Sequence, residues 1–169
     1  MDNSTEFIKL TAEDIKACAE IYLAAFSVNK IIHKEYNTDR YYGRYICESD
    51  KYAYGIKYDG RLAGCMTAIQ LPGFCSEYTI YIDTVAVHPD FQGMGLGSRM
   101  LSEFLEKIAG DTAVGLNTYR DSGPYRFYEK LKFKDTNIAH LEHPYIDMEE
   151  RISHLKEQLE ELRLANALG

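Results

Sequence analysis

Val85-Ala86-Val87-His88-Pro89-Asp90-Phe91-Gln92-Gly93-Met94-Gly95-Leu96-Gly97-Ser98 is the stretch whose reading decides the fold. An apolar, β-branched run reads as a strand, His88-Pro89-Asp90 stops it, and three glycines spaced by single residues follow. Beyond Ser98, Met100, Leu101, Phe104, Leu105 and Ile108 recur at helical spacing. A strand, a glycine loop and a helix thus stand in direct succession. Glycines leave the main chain unshielded, so successive N–H groups can converge on an anion. The helix start adds free donors and its positive dipole end. The loop is a candidate diphosphate cradle.

Two common phosphate loops fit it badly. The Walker loop requires Gly-Lys-Ser/Thr, and no lysine stands there. The dinucleotide loop requires Gly-x-Gly-x-x-Gly in the first βα unit, with an acid about 20 residues on. Here the glycines are Gly93, Gly95 and Gly97, and a hairpin-rich half precedes them.

Working outward, residues 7–10 read as a short strand, and Thr11 with Asp14 as a helix start. Ile15, Ala19, Tyr22, Leu23 and Phe26 give a first helix. A tyrosine-rich helix is expected over 38–48 and strands over 52–56, 61–70 and 79–87, with Asp59-Gly60 as a hairpin turn and Leu71-Pro72-Gly73 as a break. After the 98–108 helix come a strand at 113–118 and a helix over 124–131 opened by Pro124. Residues 133–141 and 145–150 read as a last hairpin, and 151–167 as an amphipathic helix. The order βααβββαβαββ with an extra C-terminal helix places the chain in the α/β class, as an α+β fold with a mixed sheet. Residues 1–150 read as the domain and 151–169 as its C-terminal helix. Ile152, Leu155, Leu159 and Leu162 form a narrow seam there, suited to packing on the domain or on a second copy in a homodimer.

The chain has 169 residues, 46% of them hydrophobic, so it can bury a core without disulfides or metals. No run approaches the roughly 18 apolar residues of a membrane span. Lys and Arg number 19 against 26 Asp and Glu, a net charge of −7, which argues against a non-specific nucleic-acid binder. The polar, acidic start has no secretory pattern, and the expected location is cytoplasmic. Cys18, Cys47, Cys65 and Cys75 have no metal-ligand spacing, and His33, His88, His140, His143 and His154 form no HxxxH or HExxH, so no metal is expected. There are 14 Tyr and 7 Phe but no Trp.

Gln92-Gly93-Met94-Gly95-Leu96-Gly97 resembles the Gln/Arg-x-x-Gly-x-Gly/Ala signature of the GNAT superfamily of acyl-CoA-dependent N-acetyltransferases. Tyr125-Arg126-Phe127-Tyr128-Glu129-Lys130-Leu131-Lys132-Phe133 is similar to that family's second block, a Tyr-Glu-Lys-Leu-Gly-Phe-like run. The two blocks span roughly residues 80–133; the first is fairly specific, and their joint spacing strengthens it.

The resemblance implies a GNAT-like fold and acetyl-CoA as cosubstrate, with no metal. It implies that Val85, Ala86 and Val87 offer backbone groups to the pantetheine arm. Gln92, Gly93, Met94, Gly95, Leu96, Gly97 and Ser98 would form the pyrophosphate site. Tyr128 aligns with the family's tyrosine near the CoA sulfur. A phenol is protonated at neutral pH and can supply the proton a leaving thiolate needs. Asp121 stands where the family often has Asn, and Lys132 where Gly is usual. Asp121 is therefore a candidate cofactor contact or a loop cap. Arg126, with Arg99, Lys107 and Lys130, is a candidate for the 3′-phosphate.

The general base must take a proton from the acceptor's ammonium. Asp83 is the first candidate, a carboxylate in an otherwise apolar strand, expected on one face with Tyr81, Val85 and Val87 and desolvated there. Glu77 is the second. The glutamate that some members carry at the position of Leu116 is absent. Asn117 could bind an acceptor but not act as a base. Tyr36, Tyr41, Tyr42 and Tyr45 are candidate walls of the acceptor pocket, with Tyr81 beside them. The implied acceptor is an amine-bearing small molecule or peptide, with neither nucleic acid nor membrane as partner. The competing reading is a non-catalytic acyl-CoA-binding regulatory or interaction module.

Overall fold

The computed structural model describes residues 4–27, 38–72, 78–120 and 122–136. The chain divides into two compact units, Met1–Phe133 and Lys134–Gly169. The first carries every element described below. The expected hairpin beyond residue 136 and the C-terminal helix lie outside the described residues, as do Tyr36, Cys75, Glu77 and Asp121 and every histidine but His88.

Strands β1 (Thr5–Lys9), β2 (Lys51–Tyr58), β3 (Arg61–Pro72), β4 (Tyr78–Val87) and β5 (Val114–Leu116) form one sheet in chain order. The first four are antiparallel neighbours, and β5 joins β4 in parallel. Helices α1 (Ile15–Ser27) and α2 (Thr38–Cys47) connect β1 to β2. Helix α3 (Leu96–Phe104) crosses from β4 to β5, and α4 (Gly123–Lys130) follows β5.

Local chemistry explains most boundaries. The Thr11 N–H and hydroxyl both donate to Asp14 Oδ2, at 2.8 and 2.9 Å, fixing the turn into α1. Asp59 and Gly60 both have positive φ, 48° and 76°, the geometry a tight right-twisted hairpin requires. Ser122 caps α4 by accepting from the Tyr125 N–H at 3.1 Å, and Pro124 sits in the first turn. One boundary departs from expectation. Leu71 and Pro72 do not break β3 but extend it, paired with Thr79 and Tyr78. Proline is tolerated at a strand end, where its missing donor costs no ladder bond. Residues 133–136 are not in a strand.

Two apolar clusters lie on the two faces of the sheet. On one, Met100, Leu101 and Phe104 of α3 pack on Ile56, Met66, Ala68, Ile80 and Ile82, with Phe127 and Tyr128 of α4 against them. On the other, Cys18 and Ile21 of α1 and Tyr42 of α2 pack on Ala53, Cys65 and Ala86. Cys18 and Cys65 are buried free thiols there, and Tyr42 is fully buried with its hydroxyl 3.3 Å from Cys65 Sγ. Tyr42 is thus a core residue and not the pocket wall expected of it. No described helix is long and apolar enough to cross a membrane.

Candidate active site

The site is built around an irregularity in β4. Thr67 pairs with Thr84, but the next rung joins Ala68 to Ile82, so Asp83 is an extra residue. The hydrogen bonds give the same result. The Ile80 N–H donates to Ala113 on the β5 side at 2.9 Å, and the His88 N–H donates to Ala63 on the β3 side, also at 2.9 Å. Residues an even number apart in an unbroken strand donate to the same side. One inserted residue, a β-bulge, reverses that.

The bulge has two consequences. First, faces switch. Ile80 and Ile82 lie in the α3-side cluster, and after the bulge Val85 packs there while Ala86 belongs to the α1–α2 side. Asp83 therefore does not share a face with Val85, as simple alternation predicted. It keeps the α2 side. Second, β4 and β5 part. Their last paired rung is Ile82 with Leu116. Past it, Val85 and Val87 aim their N–H groups away from β3, toward an edge with no strand beside it among the described residues. The Gln92 side chain closes the far end of that edge, donating from Nε2 to the Val87 carbonyl at 2.9 Å.

The glycine loop continues from this edge. Gly93 and Gly95 have φ of 79° and 77°, a conformation other residues adopt only with strain, and both open on empty space. Gly97 serves differently. A Cβ there would stand 3.3 Å from a Val87 methyl and 3.7 Å from the Phe127 ring, so it lets α3 approach β4 closely. None of the N–H groups of Gly93, Met94, Gly95, Leu96, Gly97 and Ser98 has an acceptor among the described residues. The first to find one is that of Arg99, 3.0 Å from the Gly95 carbonyl. Six successive unpartnered amides at a helix start form a site for an anion.

On the α2 side, Tyr41 and Tyr45 both donate from their hydroxyls to Asp83 Oδ2, Tyr45 at 2.7 Å. Tyr41 also meets the hydroxyls of Thr67 at 2.7 Å and Thr84 at 2.9 Å. Burial pushes the Tyr41 phenol well above its ordinary value, the neighbouring carboxylate adds to this, and the two threonine contacts oppose it. Asp83 itself is exposed, not desolvated by an apolar strand. Asn117, on the chain leaving β5, lies beside the Tyr81 phenol where the strands part, and its polar groups oppose the rise in that phenol. Burial, with Asp83 nearby, raises the Tyr81 phenol.

On the opposite face, the Tyr128 ring lies between Phe127 and Phe133, with centroids 5.0 and 5.7 Å away. Burial pushes its phenol up to about 12. Its hydroxyl makes no hydrogen bond among the described residues, yet its oxygen is not sealed from solvent. It is a protonated donor without a recipient. No hydrogen bond joins it to the Asp83 cluster.

The flanking cations separate into two kinds. Arg99 donates to Glu103 at 3.0 Å and to the Thr5 carbonyl at 3.2 Å, and Lys107 donates to Glu103 at 2.6 Å. These bonds hold the Glu103 carboxyl below its usual range and give both cations protein partners. Arg126, exposed on α4, has no ion pair among the described residues. No group of three His, Cys, Asp or Glu among the described residues is placed to hold a metal.

Sequence reasoning named Tyr41, Tyr81, Asp83, Asn117 and Tyr128 but missed Thr67 and Thr84. The signal available for Thr67 was a lone hydroxyl in the apolar run Leu62-Ala63-Gly64-Cys65-Met66-Thr67-Ala68-Ile69.

Several solved structures share this architecture. An aminoglycoside acetyltransferase from an uncultured soil metagenomic sample superposes with a TM-score of 0.69 at 16% identity, covering 83% of this chain and 96% of that one. The ribosomal-protein-alanine N-acetyltransferase of Brucella melitensis biovar Abortus 2308 gives 0.65 at 18% identity, covering 84% and 99%. A predicted acetyltransferase of Clostridium acetobutylicum, solved with acetyl-CoA, gives 0.65 at 16% identity, covering 83% and 96%. Among curated proteins none matches the chain significantly. The family model "Acetyltransferase (GNAT) family" matches residues 15–133, from α1 through α4 to Phe133. The bulged strand, the parted β5 and the glycine cradle thus sit in a chain that belongs to the GNAT acetyltransferase family.

Proposed function

We propose that the protein transfers the acetyl group of acetyl-CoA to a primary amine. The observation that carries this reading is the continuity of the open β4 edge with the six unpartnered amides of residues 93–98. An extended amide-bearing arm matches the first, and a diphosphate matches the second. The donor set fits acetyl-CoA, and it suits an acidic chain because the anion is held by main-chain dipoles.

Acetyl-CoA, when bound, supplies a thioester carbonyl and a thiol leaving group. Val85 offers its outward N–H to polarise the carbonyl oxygen. Asp83 takes a proton from the incoming ammonium, directly or through water, freeing the nitrogen lone pair for attack. Tyr128 gives its proton to the sulfur as the C–S bond breaks. Arg126 stands to meet the 3′-phosphate, and Tyr41, Tyr81 and Asn117 border the acceptor side. Two structural relatives are named as an aminoglycoside acetyltransferase and a ribosomal-protein-alanine N-acetyltransferase, so an aminoglycoside and an alanine-bearing peptide belong in the first screen.

The test is calorimetric titration with acetyl-CoA, then free-thiol release with spermidine, an aminoglycoside and an Ala-terminated peptide. Saturable binding with amine-dependent thiol release is expected. Absence of binding overturns the reading, and binding without turnover favours an acyl-CoA-sensing module.

A further inference from the structure

We propose that Tyr41 and Tyr45 are positioning residues that hold Asp83 by one oxygen and present the other to the acceptor amine. The inference rests on the transferase reading above and extends it to the residues that set its base.

The bonding pattern is one-sided. Both phenols meet Oδ2, while Oδ1 has no hydrogen bond among the described residues. That leaves one oxygen of the carboxylate open to a further donor. Asp83 is exposed at a bulge, the place where strands re-aim a side chain. Tyr41 and Tyr45 lie one turn apart on α2, with ring centroids 4.8 Å from each other, so one helix face delivers both hydroxyls.

The direction of each bond follows from proton counting. An ionised carboxylate only accepts, so Tyr41 spends its single proton on Asp83. The Thr67 and Thr84 hydroxyls, 2.7 and 2.9 Å away, must then donate to the Tyr41 oxygen. Two donors pulling on that oxygen strengthen its own donation to Asp83. Thr67 is fully buried and pairs with Thr84 across the strands, so the network is anchored in the sheet. In the reaction, one proton passes from the ammonium to Oδ1, the amine nitrogen bonds to the acyl carbon, the C–S bond breaks as Tyr128 protonates the sulfur, and the nitrogen's second proton leaves through water and restores the Tyr128 phenol. Asp83 then releases its proton to water.

The test is a double-mutant cycle on the full chain. It uses acetyl-CoA, whichever panel amine turns over, Tyr41→Phe, Tyr45→Phe and Asp83→Asn. Asparagine keeps an oxygen for the phenols but cannot take the proton. Tyr41→Phe should lower kcat/KM for the amine by about tenfold to a hundredfold, a part of what a general base contributes. It should leave acetyl-CoA affinity unchanged, and in the Asp83→Asn background its cost should fall below about twofold. Tyr45→Phe serves as the second arm, should loss of the Thr67 contact unfold Tyr41→Phe. Equal losses in both backgrounds, or wild-type turnover in both phenylalanine variants, overturn the positioning role while leaving the transferase intact. Acetyl-CoA binding without thiol release for any amine overturns both readings together.

Discussion

Asp83 and Tyr128 reach the site from opposite faces of the sheet. Asp83 is held by the hydroxyls of α2, while Tyr128 packs among the residues of the α3-side cluster. The two candidate proton carriers are therefore separated by the sheet itself, which opens where β4 and β5 part past the Ile82–Leu116 rung. An acid and a base that touched would exchange their own proton. Here the two groups have no such contact among the described residues.

Tyr128→Phe should lower kcat by about a hundredfold if the phenol is the general acid. The fold should be stable to within about 0.5 kcal/mol, because the lost hydroxyl has no hydrogen-bond partner to strand. Urea melts and thiol-release kinetics on the same preparation separate the two effects. Unchanged turnover would remove Tyr128 from the chemistry.

The same residue makes an alkaline prediction. Its folded phenol lies near about 12, above the ordinary value of 10. Between those values the unfolded chain loses the proton first, so its contribution to stability is complete below pH 10 and is lost as pH rises toward 12. Urea midpoints should fall less steeply over this window in Tyr128→Phe than in the wild type.

Gly95→Ala and Gly60→Ala form a matched pair. Both residues have nearly the same positive φ, 77° and 76°, with nothing close to the missing Cβ. Each substitution should cost about 1–2 kcal/mol of stability through backbone strain. Only Gly95→Ala should weaken acetyl-CoA, because it alone disturbs the amide row. Calorimetry with both variants checks this, and equal weakening would show a global effect.

Arg126→Ala should raise the Kd for CoA by about tenfold, the scale of a charge-assisted phosphate contact. Its effect on dephospho-CoA, which lacks the 3′-phosphate, should be negligible. An equal effect on both ligands would place the guanidinium elsewhere.

Much of the fold was legible because its signals are local. The Asp59-Gly60 turn, the Pro124 start of α4, and the periodicity of α1 and α3 each act within a few residues. The glycine loop was legible for the same reason. The bulge was not. Tyr78 to Val87 carries β-branched or aromatic residues on both faces, so inserting one residue leaves no break in the visible pattern. Asp83 could be picked out by residue type, but its face could not. Likewise, no local rule separates Tyr41 from Tyr42. Their neighbouring positions on α2 send one hydroxyl to Asp83 and the other to a buried thiol, an outcome decided by the strands beneath.

The cradle's construction from main-chain groups carries a consequence for how this protein can change. The side chains of Met94 and Ser98 can change without removing an amide from the row, whereas Leu96 is fixed by its place in the core. The donors also carry no ionisable proton, and acidification cannot switch them off. The amide row is thus insensitive to acid and to side-chain changes that leave the backbone path intact, Gly93 and Gly95 being the exceptions their positive φ dictates. The α2 side is built the other way, from the side chains of Tyr41, Tyr45, Thr67 and Asp83, so a substitution there deletes a hydrogen bond outright.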